Sequence, residues 1–244
     1  MSYFDSLAKK YDSGKHGCFF GDAYDKHLLD NANKVKKMLE IGLTHGKSIN
    51  MWHEYFSQAK IYGMDYAMEK REEFHESLKR LSTKDFCDIH SGDQSKRSDL
   101  KQVIDKFKGD FDIIIDDGGH MMHEQCISLG YLFSHVKSGG YYVIEDLHTS
   151  LVPFPNRWNI GINSSREYKY KNDGNNFPTD GEETFTALEV LENYKKNKKI
   201  VTPYLRENEI LYLNNNIDDI QIYYTGNCER EWGNKYVIAF IKKK

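Results

Sequence analysis

The sequence predicts an α/β fold of the Rossmann-like kind: a seven-stranded, mostly parallel sheet with helices on both faces and its last strand antiparallel. Three observations predict it. Seven short apolar runs recur along the chain: KKMLEIG, AKIYGMD, CDIHSGD, FDIIIDD, GYYVIED, IDDIQIYYT and KYVIAFIKK. Each of the first five is followed by a helix-length amphipathic segment, and strand alternating with helix makes neighbouring strands parallel. The last two runs are joined by GNCEREWGN, too short for a crossover, so those strands pair as an antiparallel hairpin.

A chain of 244 residues suits one domain, 1–244, better than two small ones. Within it, 1–34 reads as a helical cap over the sheet. The segment 151–181 carries Pro153, Pro155 and Pro178 with little periodicity, and reads as a loop closing over the ligand as a substrate lid. Hydrophobic residues at 39% are enough to build a core, which argues against disorder. No run reaches the roughly 20 apolar residues of a membrane span, and the N-terminus lacks a signal-peptide pattern, so a cytoplasmic address is expected. Cys18, Cys87, Cys126 and Cys228 are scattered without a C-x-x-C pair, giving neither a disulfide framework nor a thiolate metal site. A net charge of −3 with only short basic clusters excludes an electrostatic footprint for nucleic acid. A small molecule is the expected partner, and a homo-oligomer is compatible with the composition.

The first strand and the turn after it, MLEIGLTHGKS, place Glu40 at the strand end. Gly42 and Gly46 then form the turn before a helix whose N-terminal amides face an anionic group. The spacing G-x-x-x-G departs from the dinucleotide pattern, and by itself is no more than a strand-to-helix turn. Asp65 ends the second strand, where a carboxylate accepts hydrogen bonds from ribose hydroxyls. The third ends in HSGDQS, which puts Asp93 and Gln94 where adenine would lie, Asp93 serving alternatively as a helix N-cap. Together these turns favour a nucleoside site.

The fourth strand ends in DDGGH, where Gly118 and Gly119 let Asp116, Asp117 and His120 cluster in a tight turn. The fifth ends in Glu145 and Asp146, beside the fourth in a doubly wound sheet. Oxygen ligands of this kind suit Mg²⁺, with Asp117 and Asp146 as the expected ligands. His120 is the expected general base toward an acceptor hydroxyl, and Asp116 is assigned to the cofactor side. Plainer roles compete: helix capping for Asp116 and Asp117, ion pairing for Glu145 and Asp146, surface positions for His123 and His148. The spacing His120-x-x-His123 lacks the further ligands a zinc site needs.

The string EIGLTHGKSINMW, IYGMD, SGDQS, FDIIIDDGGH and YVIEDLHTS resembles the class I methyltransferases that methylate sugar hydroxyls of macrolide antibiotics, from about Leu7 to Ser150. DDGGH followed by IEDLHTS is similar to that family's DDGSH and ED-x-x-T pattern. The resemblance implies S-adenosylmethionine bound by Glu40, Gly42, Ser48, Asp65, Asp93 and Gln94. It also implies Mg²⁺ on Asp117 and Asp146, His120 as base, and O-methyl transfer to a sugar or glycan-like small molecule. Gly119 stands where the family has Ser, YDSGKHG matches its Tyr-Gly-Thr-Asp-Lys-Gly segment loosely, and the chain beyond Ser150 diverges. An N-methyltransferase, or one acting on another small metabolite, is the nearest alternative. A NAD-dependent dehydrogenase lacks its pyrophosphate-binding glycine spacing here, base-amine and C5 nucleic-acid methyltransferases lack their N-P-P-Y and Pro-Cys motifs, and an inactive scaffold would have no need of both carboxylate pairs.

Overall fold

The computed structural model describes residues 1–66, 72–151, 186–226 and 236–244. The segment expected to form the lid lies outside the described residues apart from Leu151, as does Cys228. Helices α1 (Tyr3–Lys10) and α2 (Gly21–Leu28) and a 3₁₀ turn (Leu29–Lys34) precede the sheet. Strands β1 (Lys37–Ile41), β2 (Lys60–Asp65), β3 (Cys87–Ser91), β4 (Phe111–Asp116) and β5 (Val136–Ile144) then alternate with helices. These are α3 (Lys47–Tyr55), α4 (Glu72–Leu81), α5 (Arg97–Phe107) and α6 (Met122–Leu132). Helices α7 (Ala187–Asn197) and α8 (Glu207–Asn216) lead into β6 (Ile217–Thr225) and β7 (Tyr236–Lys243).

The seven strands lie in the order β3-β2-β1-β4-β5-β7-β6. Strand β7 is antiparallel to both β5 and β6, and the other pairings are parallel. The antiparallel last strand follows from the short link before it, and the expected fold class is the observed one.

Alternation along the strands divides the core in two. Leu39, Ile41, Ile114, Ile144 and Val237 face α5, α6, α7 and Leu213 of α8. Met38, Ile113, Ile115, Val143 and Phe240 face α1, α2 and α3, where Phe4, Tyr24 and Trp52 are fully buried. Strands β4 and β1 read as nearly continuous apolar runs because both their faces are covered. The same alternation fixes polar residues: Glu40 falls on the α1–α3 side and Asp116 on the α6 side.

Candidate active site

The strand order reverses between β1 and β4, and open α/β sheets bind ligands outside the carboxyl ends of strands at such a point. Ile41 pairs with Asp116, and Asp116 with Ile144, so the next residues, Gly42, Asp117 and Glu145, emerge side by side. Gly42 has φ 85°, and a Cβ there would lie 2.0 Å from the Asp117 carbonyl oxygen and 2.8 Å from Gly118 Cα. Both neighbours are backbone, so only glycine lets the two turns touch.

Two adjoining cavities open at these strand ends. One is lined by Ile41, Gly42, Met64, Asp65, Tyr66, Asp93, Gln94, Asp117, Gly118 and Gly119 among others. The other is lined by Gly42, Thr44, Lys47, Ser48 and Asp117 together with the N-terminal residues Asp12, Ser13, Gly14 and Lys15. Asp65 Oδ2 accepts from the amides of Leu43 (2.7 Å) and Thr44 (3.0 Å), which holds the glycine turn in shape. Asp93 accepts from the Ser95 amide (3.0 Å) and hydroxyl (2.6 Å), while the N-cap of α5 is Lys96; Asp93 therefore shapes the preceding turn and does not cap the helix. Gln94 donates to Asp116 (2.9 Å) and accepts from the Gly119 amide (2.8 Å), joining the ends of β3 and β4.

Gly42, Ser48, Asp65, Asp93 and Gln94 thus line the cavities, and two other residues assigned to the cofactor do not. Glu40 is fully buried and accepts from Ser48 (2.6 Å) and Trp52 (2.8 Å). Asp116 is fully buried and accepts from Gln94, Tyr142 (3.0 Å) and Ser128. Asp116, the last residue of β4, shares the α6 side with Ile114 and is held there by these protein donors. Burial pushes both carboxyls up in pKa, and the donors around each act against that rise.

Asp117, His120 and Asp146 converge. His120 Nε2 lies 3.9 Å from Asp117 Oδ1 and 3.6 Å from Asp146 Oδ2, and each side chain is about a quarter exposed. One ligand atom from each of the three lies within 4.8 Å of the others. His120 and Asp146 both have left-handed backbones, with φ 60° and 54°. Such strain in non-glycine residues persists where surrounding structure enforces it, and collects at functional sites. Asp146 Oδ1 and His120 Nδ1 are buried with no hydrogen-bond partner among the described residues.

Lys15, which the motifs did not mark, is the cation at the centre of this acidic cluster. Its side chain is 4% exposed, and Nζ lies 2.5 Å from Asp117 Oδ2, 2.8 Å from Glu145 Oε1 and 3.3 Å from Glu40 Oε1. Glu145 also accepts from the Tyr24 hydroxyl. Burial pushes Glu145 up in pKa, Lys15 opposes that, and the three carboxylates together hold the Lys15 ammonium in its charged form. The only pointer in the sequence was the lysine of the loosely matching YDSGKHG segment. Two histidines also differ from the surface positions expected of them. His123 is buried in α6, and His148 Nδ1 lies 3.6 Å from Asp146 Oδ1.

The donor set fits a hard cation. Asp117 and Asp146 each bring a carboxylate oxygen within 4.8 Å of the other, of the order of the ~4–5 Å across such an ion's oxygen shell, and Asp146 Oδ1 is buried with no hydrogen-bond partner among the described residues. The first cavity offers the carboxylates of Asp65 and Asp93 and the amide of Gln94 beside apolar Ile41 and Met64, the mixture of groups a nucleoside would need.

No protein-family model matches the chain. Among curated proteins it is similar to mycinamicin VI 2''-O-methyltransferase of Micromonospora griseorubida, 36% identical over 156 residues, which cover 60% of this chain and 36% of the relative. It is also similar to demethylmacrocin O-methyltransferase of Streptomyces fradiae, 34% identical over 158 residues, 61% of this chain and 37% of the relative. The resemblance to the macrolide-sugar O-methyltransferases therefore stands. Its fold matches the MycE methyltransferase solved in complex with Mg, SAH and mycinamycin VI, with a TM-score of 0.65 and 26% identity over 98% of this chain and 54% of that one. The chain spans less than two fifths of the length of the curated relatives it matches.

Proposed function

We propose that the chain is an S-adenosylmethionine-dependent, Mg²⁺-assisted O-methyltransferase acting on a hydroxyl of a sugar or glycan-like small molecule. The observation that carries this reading is the meeting of Asp117, His120 and Asp146, of which Asp117 also lines the cavity formed by Asp65, Asp93 and Gln94. When bound, S-adenosylmethionine supplies an electrophilic methyl group, and a divalent cation supplies positive charge that acidifies a hydroxyl held beside it. Asp117 and Asp146 are the residues that would hold the cation. Because Mg²⁺ favours oxygen ligands, the His120 imidazole is left to take the hydroxyl proton.

Asp65, Asp93 and Gln94 would receive the nucleoside, and Ser48 with the N-terminus of α3 its amino-acid end. Lys15 neutralises part of the charge of Glu40, Asp117 and Glu145, so the carboxylates stay together without gathering excess repulsion. We propose also a single working unit over 1–244, with 1–34 covering one side of the sheet. The proposal extends to a cytoplasmic address, supported by likeness to enzymes named for O-methylation of small molecules.

The test is transfer of a labelled methyl group from S-adenosylmethionine to a panel of deoxysugar-bearing acceptors, read by mass spectrometry. Label in an O-methyl group, lost with chelator and restored by Mg²⁺, is the expected result. Full turnover in excess chelator would contradict the metal's part, and binding of NAD without S-adenosylmethionine would contradict the whole reading.

A further inference from the structure

We infer that Thr149 is a positioning residue whose hydroxyl ties the turn carrying His120 to the turn carrying Asp146, and so sets how closely their side chains approach. The inference deepens the proposed function and rests on it. Thr149 lies in the 3₁₀ turn Leu147–Leu151 after β5 and is 2% exposed. Its Oγ1 is 3.0 Å from the carbonyl oxygen of His120 and 3.1 Å from that of Asp146. A hydroxyl has one proton to donate. The Asp146 carbonyl is already served by the Thr149 amide at 3.2 Å, so the hydroxyl proton is the one available to His120.

The turn DDGGHM is held at intervals by side chains from elsewhere. The Gly119 amide donates to Gln94 (2.8 Å) and the Met121 amide to Glu124 (3.2 Å), while the His120 carbonyl between them accepts from Thr149. His120 and Asp146 are both held in left-handed backbone, which non-glycine residues leave readily when nothing restrains them. Thr149 contacts the carbonyl of each at once. The 3.6 Å separation of His120 Nε2 from Asp146 Oδ2 is the product of that tie, and a base and a cation ligand must keep such a separation to act on one hydroxyl.

The experiment compares Thr149→Val, which keeps the branched shape and removes the donor, with Thr149→Ser, which keeps the donor. Four quantities are measured: kcat, Mn²⁺ affinity by electron paramagnetic resonance, S-adenosylmethionine affinity by calorimetry, and the His120 ring signals in nitrogen-labelled histidine spectra. The valine variant is expected to lose roughly 10–100-fold in kcat and in Mn²⁺ affinity, in the range seen when groups supporting metal ligands are removed. It should shift the His120 signals and bind S-adenosylmethionine as the wild type does. The serine variant should match the wild type in all four.

Wild-type kcat, Mn²⁺ affinity and ring signals in the valine variant would overturn the inference, as would equal losses in both variants. Should the valine variant not fold, Thr149→Ala carries the same expectations and the same overturning results. If the wild-type protein itself neither binds Mn²⁺ nor transfers methyl, the proposed function fails. The His120 spectra then still decide the role of Thr149.

Discussion

His120 and Asp117 carry different burdens within 4 Å of each other, and substitution separates them. His120→Ala removes the proton acceptor and leaves both carboxylates in place. It is expected to lower kcat by roughly 10²–10⁴-fold with Mg²⁺ and S-adenosylmethionine binding retained, as measured by single-turnover kinetics and calorimetry. Lys15→Met leaves Glu40, Asp117 and Glu145 without their shared cation. Breaking a buried pair this way costs about 3–5 kcal/mol, readable as a lower urea midpoint. His123 has its pKa lowered to about 4 by burial. As pH falls from the ordinary histidine value of 6.5 toward 4, the unfolded chain takes up a proton that the folded chain refuses, so stability drops. The drop attributable to His123 is at most about 3 kcal/mol, and His123→Phe should flatten that part of the stability–pH curve. Asp117, His120 and Asp146 were legible because their chemistry is written in two short motifs. Lys15 was not, because it meets Asp117 across 102 residues and no local pattern encodes that contact. The separate settings of Asp116 and Asp117 were legible in principle, since alternation places 116 on the α6 face with Ile114 and 117 just beyond the strand's end.

At the scale of elements, the contact between the β1 and β4 turns decides whether a site forms. Gly42→Ala places a methyl against the Asp117 carbonyl in a backbone conformation that L-residues avoid. The strain alone is about 1–3 kcal/mol. The expected outcome is a lower melting temperature together with loss of S-adenosylmethionine binding, because the two turns must move apart. Melting and calorimetry on one preparation check this, and an unchanged affinity would contradict it. Six of the apolar runs gave their strands nearly to the residue. The strand β5 begins at Val136, before the run that marked it, because Lys137, Ser138 and two glycines interrupt the apolar pattern while backbone pairing of Val136 with Phe111 continues it. Helix α6 begins at Met122, with Met121 at its N-cap, so Asp116 and Asp117 are not its caps.

Across the whole molecule, the topology brings to one point what the sequence spreads over 130 residues, from Lys15 to Glu145. The fold was legible because strand and helix alternate in period and the last link is too short to cross over. The three-layer packing that seats the Lys15 ammonium over the Trp52 ring depends on how the N-terminal segment and α3 meet on the sheet, which their own periodicity does not specify. The central claim is that Asp117 and Asp146 form a divalent-cation site beside a nucleoside cavity. Its most direct measurement is calorimetric titration of Mg²⁺ into the protein saturated with S-adenosylhomocysteine, for the wild type, Asp117→Ala and Asp146→Ala. Saturable binding in the wild type that is lost in both variants, with nucleoside binding kept, is expected; equal Mg²⁺ binding in all three would contradict it.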